Sequence, residues 1–245
     1  MKEGATGGAL AGKNIVVLSD GTGKEGGEGH DTNIYKLFRM LENRTPRQVV
    51  FYDRGLGTNW LRITGNAFGV GISRNIKECY RFIFDQYQAG DRVFLFGFSR
   101  GAYTVRSLSG FIHLFGLLPP SRPELIRKAW RIYTIRGDRR RTRRAEAFVA
   151  RHQNMWIKIA LLGVWDTVGA LGFPYPRVTA LLDRLPWFRH RFHNTRLSDS
   201  VEFGCHALAI DDERLTFHPT LWDEPDPRVE QVWFAGMHSD VGGGY

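Results

Sequence analysis

The chain has 245 residues, of which 42% are hydrophobic and 24% charged, and a formal net charge of +9. This is the composition of a globular protein long enough to build one large α/β domain. No apolar run reaches the length of a transmembrane helix, and the two cysteines, Cys79 and Cys205, are expected to be buried reduced thiols rather than metal ligands.

Residues 1–13, MKEGATGGALAGK, lack the apolar region of a signal peptide and predict a flexible leader. We expect residues 14–245 to form a single domain that is cytoplasmic, or exported without a signal peptide. Asn14–Leu18 is the first predicted strand, and it runs into a glycine-rich loop that begins Ser-Asp-Gly-Thr at 19–22. Open α/β folds bind their ligands at the carboxyl edge of a parallel sheet, so this loop is expected at the site. It is not a Walker loop, because Leu18 stands where that motif requires its first glycine.

Helices and strands are predicted to alternate along the first hundred residues. Apolar residues on one face predict a helix over residues 31–41, capped by Asp31 or Thr32, and a second strand is expected at Gln48–Tyr52. A further amphipathic helix is predicted by the spacing of four apolar residues, Ile76, Tyr80, Ile83 and Tyr87.

The most specific motif lies between a buried strand and a helix. Val93–Phe96 is wholly apolar, which is typical of a strand covered on both faces. It is followed by Gly-Phe-Ser-Arg-Gly at 97–101, a G-x-S-x-G sequence, and then by a predicted helix over residues 102–118 that ends at two prolines. This context predicts a nucleophile elbow that presents Ser99, since side chains at Gly97 and Gly101 would crowd the turn. The alternative is an ordinary turn whose Ser99 caps the helix.

A basic segment follows this helix. Residues 121–153 contain eleven arginines and lysines against three acidic residues, which accounts for nearly all of the net charge. Such a run forms either a solvated surface or a surface that attracts anionic phosphate groups. At this position it could also cover an active site.

The next strand is predicted at Lys158–Val164, and Asp166 follows it, where the carboxylate of a catalytic triad belongs. Alternatively, Asp166 caps a turn. Residues 182–192 mix aromatic and basic side chains, a combination that suits a bilayer interface or packing beneath a loop. Residues 201–210 could form a helix or a strand, and helix is favoured.

Val229–Ala235 is the last predicted strand, and the loop after it contains His238 and three consecutive glycines. A catalytic domain normally adds a helix after such a loop, so we expect a fragment of a longer protein. Ser99, Asp166 and His238 therefore follow three strands in the order nucleophile, acid, base, which is the order of α/β-hydrolases. The oxyanion donors would be the backbone N–H of Arg100 and one from the loop of Gly21 and Thr22.

Three other residues compete for these roles. His206 is a rival for the base, although apolar neighbours in the sequence are typical of a core histidine. Asp240 is a rival for the acid, and Asp20 points toward the same sheet edge. Either aspartate could instead organise its own loop through backbone hydrogen bonds.

Five ordered strings resemble one family: Ser-Asp-Gly-Thr at 19–22, Tyr-Asp-Arg-Gly-Leu-Gly-Thr at 52–58, Gly-Phe-Ser-Arg-Gly-Ala-Tyr at 97–103, Gly-Val-Trp-Asp-Thr-Val-Gly at 163–169 and Trp-Phe-Ala-Gly-Met-His-Ser-Asp-Val-Gly-Gly-Gly-Tyr at 233–245. They are similar to the α/β-hydrolase catalytic domain of type VI secretion phospholipase effectors, over residues 13–245. The resemblance implies a serine hydrolase of ester bonds and carries over Ser99, Asp166 and His238 as catalytic residues. His206 stays a second candidate for the base, because the string around it also resembles the family.

We therefore expect an α/β-hydrolase-like catalytic domain, a mostly parallel sheet flanked by helices with a basic insertion after the nucleophile helix. It would cleave carboxylic esters, lipids or phospholipids foremost, without a metal or organic cofactor, and an anionic membrane surface is a further expected partner. The alternative is a non-catalytic binding protein on the same scaffold, whose basic face binds an anionic membrane or, less readily, nucleic acid.

Overall fold

The computed structural model describes residues 12–21, 29–43, 45–55, 65–168, 196–214, 219–223 and 225–244, and for residues 65–70 the backbone only. Residues 1–11 of the predicted leader, Thr22 and the segment 182–192 lie outside the described residues. The strands of the described part are β1 (Asn14–Ser19), β2 (Gln48–Asp53), β3 (Arg92–Phe98), β4 (Ile159–Trp165), β5 (Gly204–Ala209) and β6 (Val229–Phe234). Its helices are α1 (Asn33–Met40), α2 (Gly65–Gln86), α3 (Arg100–Phe115), α4 (Leu125–Tyr133), α5 (Asp138–His152) and α6 (His238–Gly242).

The six strands form one sheet in the order β2-β1-β3-β4-β5-β6, and every neighbouring pair is parallel. Alternate side chains of β1 face opposite layers of helices. Ile15 and Val17 belong to the large core that contains residues of α2 and α3, whereas Val16 and Leu18 pack on the other face with Ile34 of α1. This two-sided burial explains why the central strands read as continuous apolar runs. The chain is therefore an α/β fold with a parallel sheet flanked by helices.

The strand register brings several loops to one edge of the sheet. Ser19 of β1 is level with Gly97 of β3, and Phe98 of β3 is level with Trp165 of β4. The residues that follow these strands therefore emerge side by side at the carboxyl edge, as the sequence predicts. At the opposite edge of the sheet, just before β1 and β3 begin, the backbone N–H of Lys13 donates a hydrogen bond to the side chain of Asp91 at 2.9 Å.

Helix boundaries differ from the predictions where a glycine or a cap intervenes. Of the two predicted caps of α1, Thr32 is the one used, and its hydroxyl accepts the Tyr35 N–H at 3.1 Å. The helix after the elbow ends at Phe115, before the prolines, because Gly116 adopts a φ of +59° and continues into a bridge between Leu117 and Met155. The helix predicted around Tyr80 begins earlier, at Gly65.

The helix prediction for residues 201–210 is wrong. This segment contains β5, which lies between β4 and β6 and hydrogen-bonds to both. A short apolar run fits the periodicity of a helix as well as that of a strand. Here the segment forms a strand because it pairs with a neighbouring strand on each side.

The basic segment folds into α4 and α5, which pack on the second half of α3. Phe111 contacts Trp130 with ring centroids 5.8 Å apart, and Phe115 contacts Phe148 at the same centroid distance. Phe111 and Phe115 lie about 17 and 22 Å along the axis from the first residue of α3, Arg100, at 1.5 Å per residue. These contacts lie far from the elbow, so the described helices of the segment do not support the interpretation that it covers Ser99. Within the described residues, no helix is both long and apolar enough to cross a bilayer.

Candidate active site

Ser99 occupies a strained turn between β3 and α3. Its φ is 57° and its ψ is −119°, a region that non-glycine residues seldom adopt outside functional sites. The turn is tied to the neighbouring strand β4 by a hydrogen bond from the Ser99 N–H to the carbonyl of Trp165 at 3.0 Å. The hydroxyl of Ser99 does not cap the helix. The capping alternative is therefore not the role that Ser99 has here.

The two glycines of the elbow stand where no side chain fits. A Cβ added at Gly97 would lie 2.5 Å from the carbonyl oxygen of Gly101, and one added at Gly101 would lie 1.9 Å from the carbonyl oxygen of Ser19. Both distances are far below van der Waals contact, and both obstacles are backbone atoms. The turn can therefore bring α3 against β1 only with glycine at these positions.

The side chains of Ser99, His238 and Asp166 form a continuous hydrogen-bonded row. The Nε2 of His238 lies 2.8 Å from the Ser99 Oγ, and its Nδ1 lies 2.5 Å from the Asp166 Oδ2. A carboxylate only accepts hydrogen bonds, so the tautomer that fits both contacts has its ring proton on Nδ1 and accepts the serine O–H at Nε2. The relative exposures of the three residues are 5%, 4% and 0%, which keeps the row out of bulk water.

Asp166 follows β4 and is held by backbone groups of β5. Its φ is +39°, its N–H donates to the Ala207 carbonyl at 2.8 Å, and its Oδ1 accepts the Ala209 N–H at 3.0 Å. One carboxylate oxygen thus anchors the side chain to β5 and leaves the other for His238. A residue that only caps a turn would not bridge two strands in this way.

The loop that carries His238 is fastened by two aspartates that the sequence analysis did not assign to the site. Asp211 accepts the Gly236 N–H at 2.6 Å, and Asp212 accepts the His238 N–H at 3.2 Å. The hydrogen bond from the Arg214 side chain lowers the pKa of Asp212, and the backbone N–H groups of Arg214 and His238 lower it further, to about 2. Asp212 is therefore a carboxylate at neutral pH. The only sequence signal for this role was the Asp-Asp pair that directly follows the apolar run of residues 201–210.

Asp240 has a local role in the same loop. Its carboxylate accepts the Met237 N–H at 2.7 Å, in a capping box at the start of α6. It makes no described hydrogen bond to the imidazole of His238. The Phe98 ring packs against that imidazole, with centroids 4.6 Å apart, and so restricts the orientation of the imidazole plane.

Two of the three predicted oxyanion residues lie beside Ser99 in the described part of the chain. Arg100 is the first residue of α3, so its backbone N–H belongs to the positive end of the helix dipole. Burial lowers the pKa of its guanidinium to about 10. Gly21 lies close as well, since a Cβ there would be 3.5 Å from the Ser99 Cβ, but its N–H donates to its neighbour Asp20 at 2.7 Å. Thr22 lies outside the described residues.

Asp20 organises the loop after β1. Besides the Gly21 N–H, it accepts hydrogen bonds from the hydroxyls of Thr32 at 2.6 Å and Tyr52 at 2.7 Å. Burial raises the pKa of Asp20, and these hydrogen bonds partly oppose the rise. A second buried carboxylate, Asp53, accepts the Ser19 hydroxyl at 2.8 Å. The two aspartates therefore hold the end of β1 and Gly21 in place through hydrogen bonds.

His206 is bound away from Ser99. Its Nε2 accepts the Thr167 N–H at 3.1 Å, and its Nδ1 faces the Gln231 Oε1 at 3.3 Å. Burial, and then the charge of Arg106, lower the pKa of His206 to about 3. Its two ring nitrogens are both engaged by other partners, so the imidazole that contacts the serine is that of His238.

The described residues contain no group of three His, Cys, Asp or Glu side chains placed to hold a metal ion. The chemistry that the described arrangement itself offers is acyl transfer through a serine, a histidine and an aspartate.

Comparisons with known proteins identify the family and the fold. The family model described as T6SS, phospholipase effector Tle1-like, catalytic domain, matches residues 13–245. The chain is 29% identical to the uncharacterized protein YEL023C of Saccharomyces cerevisiae, over 91% of this chain and 34% of that protein. An uncharacterized protein from Pseudomonas aeruginosa, known from its crystal structure, shares the fold with a TM-score of 0.53 at 14% identity, over 97% of this chain and 42% of that one. The chain thus spans about a third of the yeast relative.

Proposed function

The chain belongs to the family of T6SS phospholipase effectors of the Tle1-like type, as a catalytic domain, and from this premise we propose that it is a serine hydrolase of carboxylic esters, with lipids and phospholipids as its substrates. The observation that carries the proposal is the row of short contacts from Ser99 through His238 to Asp166, at 2.8 and 2.5 Å.

In the acylation step the Oγ of Ser99 attacks the ester carbonyl carbon, and the serine proton moves to Nε2 of His238. The carbonyl π bond opens to give a tetrahedral oxyanion. Asp166 stabilises the imidazolium and keeps Nδ1 protonated. When the intermediate collapses, the bond to the leaving alcohol breaks, and that alcohol takes the proton from Nε2. The products are the free alcohol and an acyl ester of Ser99.

In the deacylation step water takes the place of the serine hydroxyl. The water oxygen attacks the acyl carbon while His238 accepts a proton from the water. When the bond from the acyl carbon to Oγ of Ser99 breaks, His238 returns the proton to Oγ. The carboxylic acid leaves and the free serine is restored. No step requires a metal or an organic cofactor.

The oxyanion donors in this proposal are the Arg100 N–H and one N–H of the loop at Gly21 and Thr22. In this arrangement the Gly21 N–H donates to the Asp20 carboxylate, so it would have to leave that partner to serve as an oxyanion donor. In well-studied hydrolases, the loss of one such donor costs roughly 3 to 4 kcal/mol of transition-state stabilisation.

A fluorophosphonate probe tests the nucleophile directly. We expect the unsubstituted chain to be labelled and Ser99→Ala to be unlabelled. Ser107→Ala is the matched control, since Ser107 is also a buried serine of α3 but lies two helical turns from the elbow. Hydrolysis of a panel of phospholipids and short p-nitrophenyl esters then gives the substrate class. Absence of labelling in the folded chain, or labelling that survives Ser99→Ala, would overturn the proposal.

A second candidate function rests on the exposed cations of the basic segment. Nine of them lie along α4, α5 and their connection: Arg127, Lys128, Arg131, Arg136, Arg139, Arg140, Arg143, Arg144 and Arg151. Such a surface attracts anionic membranes or nucleic acid. If the chain were a binding protein of this kind, its binding would weaken steeply with salt and would survive Ser99→Ala.

A further inference from the structure

We infer that His206 is a positioning residue for Asp166, which it holds in place by accepting the N–H of the next residue, Thr167. The inference rests on the proposed function, because it assumes that Asp166 orients His238 for catalysis. It gives a role to a histidine that the proposed reaction does not use.

The hydrogen bond between Thr167 and His206 lies directly after the strained residue Asp166. Asp166 directly follows β4 and has a φ of +39°, and the N–H of Thr167 donates to Nε2 of His206 at 3.1 Å. An imidazole nitrogen can accept an N–H only when it carries no proton. The ring proton of His206 must therefore sit on Nδ1, where the Gln231 Oε1 lies at 3.3 Å.

Gln231 is itself fixed in orientation. Its Oε1 accepts the Trp222 N–H at 2.8 Å, and its amide nitrogen donates to the Trp222 carbonyl at 3.1 Å. These two bonds identify which side of the amide is oxygen. Gln231 thus presents an acceptor to Nδ1 of His206 and selects the tautomer that leaves Nε2 free to accept from Thr167.

The backbone carbonyl of Thr167 is held as well, by residues close to Trp222. This carbonyl accepts the Thr220 N–H at 2.8 Å, and Arg106 of α3 donates to the carbonyls of Thr220 and Leu221. The Arg106 guanidinium lies 4.7 Å from the centroid of the Trp222 ring, whose centroid is 5.4 Å from that of the His206 ring. The backbone after Asp166 is therefore clamped at both its N–H and its carbonyl.

Burial keeps the clamp in its working form. His206 is 2% exposed, and the nearby charge of Arg106 further disfavours a second ring proton. Without the imidazole, the Thr167 N–H would be buried and unsatisfied, and the strained turn at Asp166 would be free to relax. Displacement of a catalytic group by about 1 Å can cost on the order of 100-fold in rate.

The first test compares three variants with a soluble p-nitrophenyl ester. His206→Leu removes the acceptor, and we expect kcat to fall by roughly 10- to 100-fold with little change in KM. His206→Gln can offer an amide oxygen near the position of Nε2, so we expect it to recover most of the rate. The matched control is His113→Leu on α3, a half-buried histidine whose ring contacts Ser200 at 3.2 Å, which we expect to leave kcat within about twofold.

A double-mutant cycle separates positioning from a general loss of stability. In an Asp166→Ala background the carboxylate is already gone, so His206→Leu should lower the residual kcat no further. An equal loss in both backgrounds would overturn the inference. If His206→Leu does not fold, Gln231→Leu takes its place in the cycle, since it removes the partner of Nδ1 and should lower kcat in the same direction.

A readout independent of turnover distinguishes failure of this inference from failure of the proposed function. The Nδ1 proton between His238 and Asp166 should give a downfield NMR signal, assigned by its loss in His238→Gln. We expect the signal to shift or broaden in His206→Leu, to return in His206→Gln and to persist in His113→Leu. A signal that is unchanged in His206→Leu would overturn the positioning role, even in a chain that hydrolyses no ester.

Discussion

Nδ1 of His238 lies 2.5 Å from Oδ2 of Asp166, across 72 residues of chain. The two residues follow strands that are not neighbours, since β5 lies between β4 and β6. The Asp166 carboxylate therefore reaches across the end of β5, where its other oxygen accepts the Ala209 N–H at 3.0 Å. The geometry of the pair thus depends on the register of all three strands, in which Trp165 is level with Ala207, and Ala209 with Phe234.

Replacement of Asp166 by Asn tests its role as the acid. The amide would present a donor as well as an acceptor and would favour the wrong tautomer of His238, so we expect kcat for ester hydrolysis to fall by roughly 10⁴-fold, as in a serine-protease triad. Asp240→Asn is the matched control: it changes a capping side chain in the His238 loop, and kcat should stay within a few-fold. A larger loss in Asp240→Asn than in Asp166→Asn would transfer the role to Asp240.

The positions of the row could be predicted from the sequence because each member follows an apolar run that predicts a strand, although β6 itself is an edge strand and largely exposed. In a parallel sheet, the carboxyl ends of neighbouring strands share an edge, so Ser99 and Asp166 had to emerge close together once β3 and β4 were identified. His238 follows β6 in the same way. The elbow glycines were readable too, because their steric requirement is local to the turn.

The remaining contacts of the site depend on pairings that no local pattern reveals. β5 was predicted as a helix because a six-residue apolar run has no distinct period, and only β4 and β6 select the strand. The partners of His206 follow from that register: it lies level with Val164 on one side and Gln231 on the other. An apolar sequence around His206 indicated burial correctly but could not show that its ring would accept the N–H of Thr167.

Gly101→Ala tests the close approach of α3 to β1. The new Cβ would lie 1.9 Å from the Ser19 carbonyl oxygen, so the backbone must shift, and we expect a loss of about 3 kcal/mol or more in the free energy of unfolding. Urea unfolding measures this. Gly110→Ala on the same helix is the control. Its nearest contacts would be with the Tyr133 side chain, the hydroxyl first at 3.1 Å, so it should change stability by no more than about 1 kcal/mol. Equal losses in the two variants would contradict the steric argument.

Tyr52→Phe tests the network around Asp20. It removes a hydroxyl that donates to the Asp20 carboxylate at 2.7 Å, and we expect a loss of about 1 to 3 kcal/mol in stability at neutral pH. Burial already raises the pKa of Asp20, and loss of a donor raises it further. The protonated carboxyl needs the donor less, so the loss should be smaller in acid than at neutral pH.

Tyr35→Phe is the control for that substitution. The Tyr35 ring lies 5.6 Å from the Tyr52 ring, and its hydroxyl makes no hydrogen bond within the described residues. We expect its free energy of unfolding to stay close to that of the unsubstituted chain at both pH values. A Tyr52→Phe loss that does not vary with pH would show that Asp20 does not titrate through this contact.

The buried neutral state of His206 predicts a pH dependence of stability. The pKa of His206 in the folded chain is lowered to about 3, against an ordinary value of about 6.5. Below about pH 6.5 the unfolded chain therefore binds a proton that the folded chain does not, and stability falls as the pH drops toward 3. His206→Gln cannot bind that proton. Its deficit in unfolding free energy relative to the unsubstituted chain should therefore shrink by about 2 kcal/mol between about pH 7.5 and pH 5, at 1.36 kcal/mol per unit.

Urea unfolding at the two pH values measures this change. Leu208→Ala, in the same strand and with no titratable group, is the matched variant, since Leu208 is also fully buried. Its deficit should be nearly the same at both pH values. If the deficit of His206→Gln is likewise constant, then the imidazole is not held neutral by the fold, and the tautomer that accepts the Thr167 N–H is not enforced by burial.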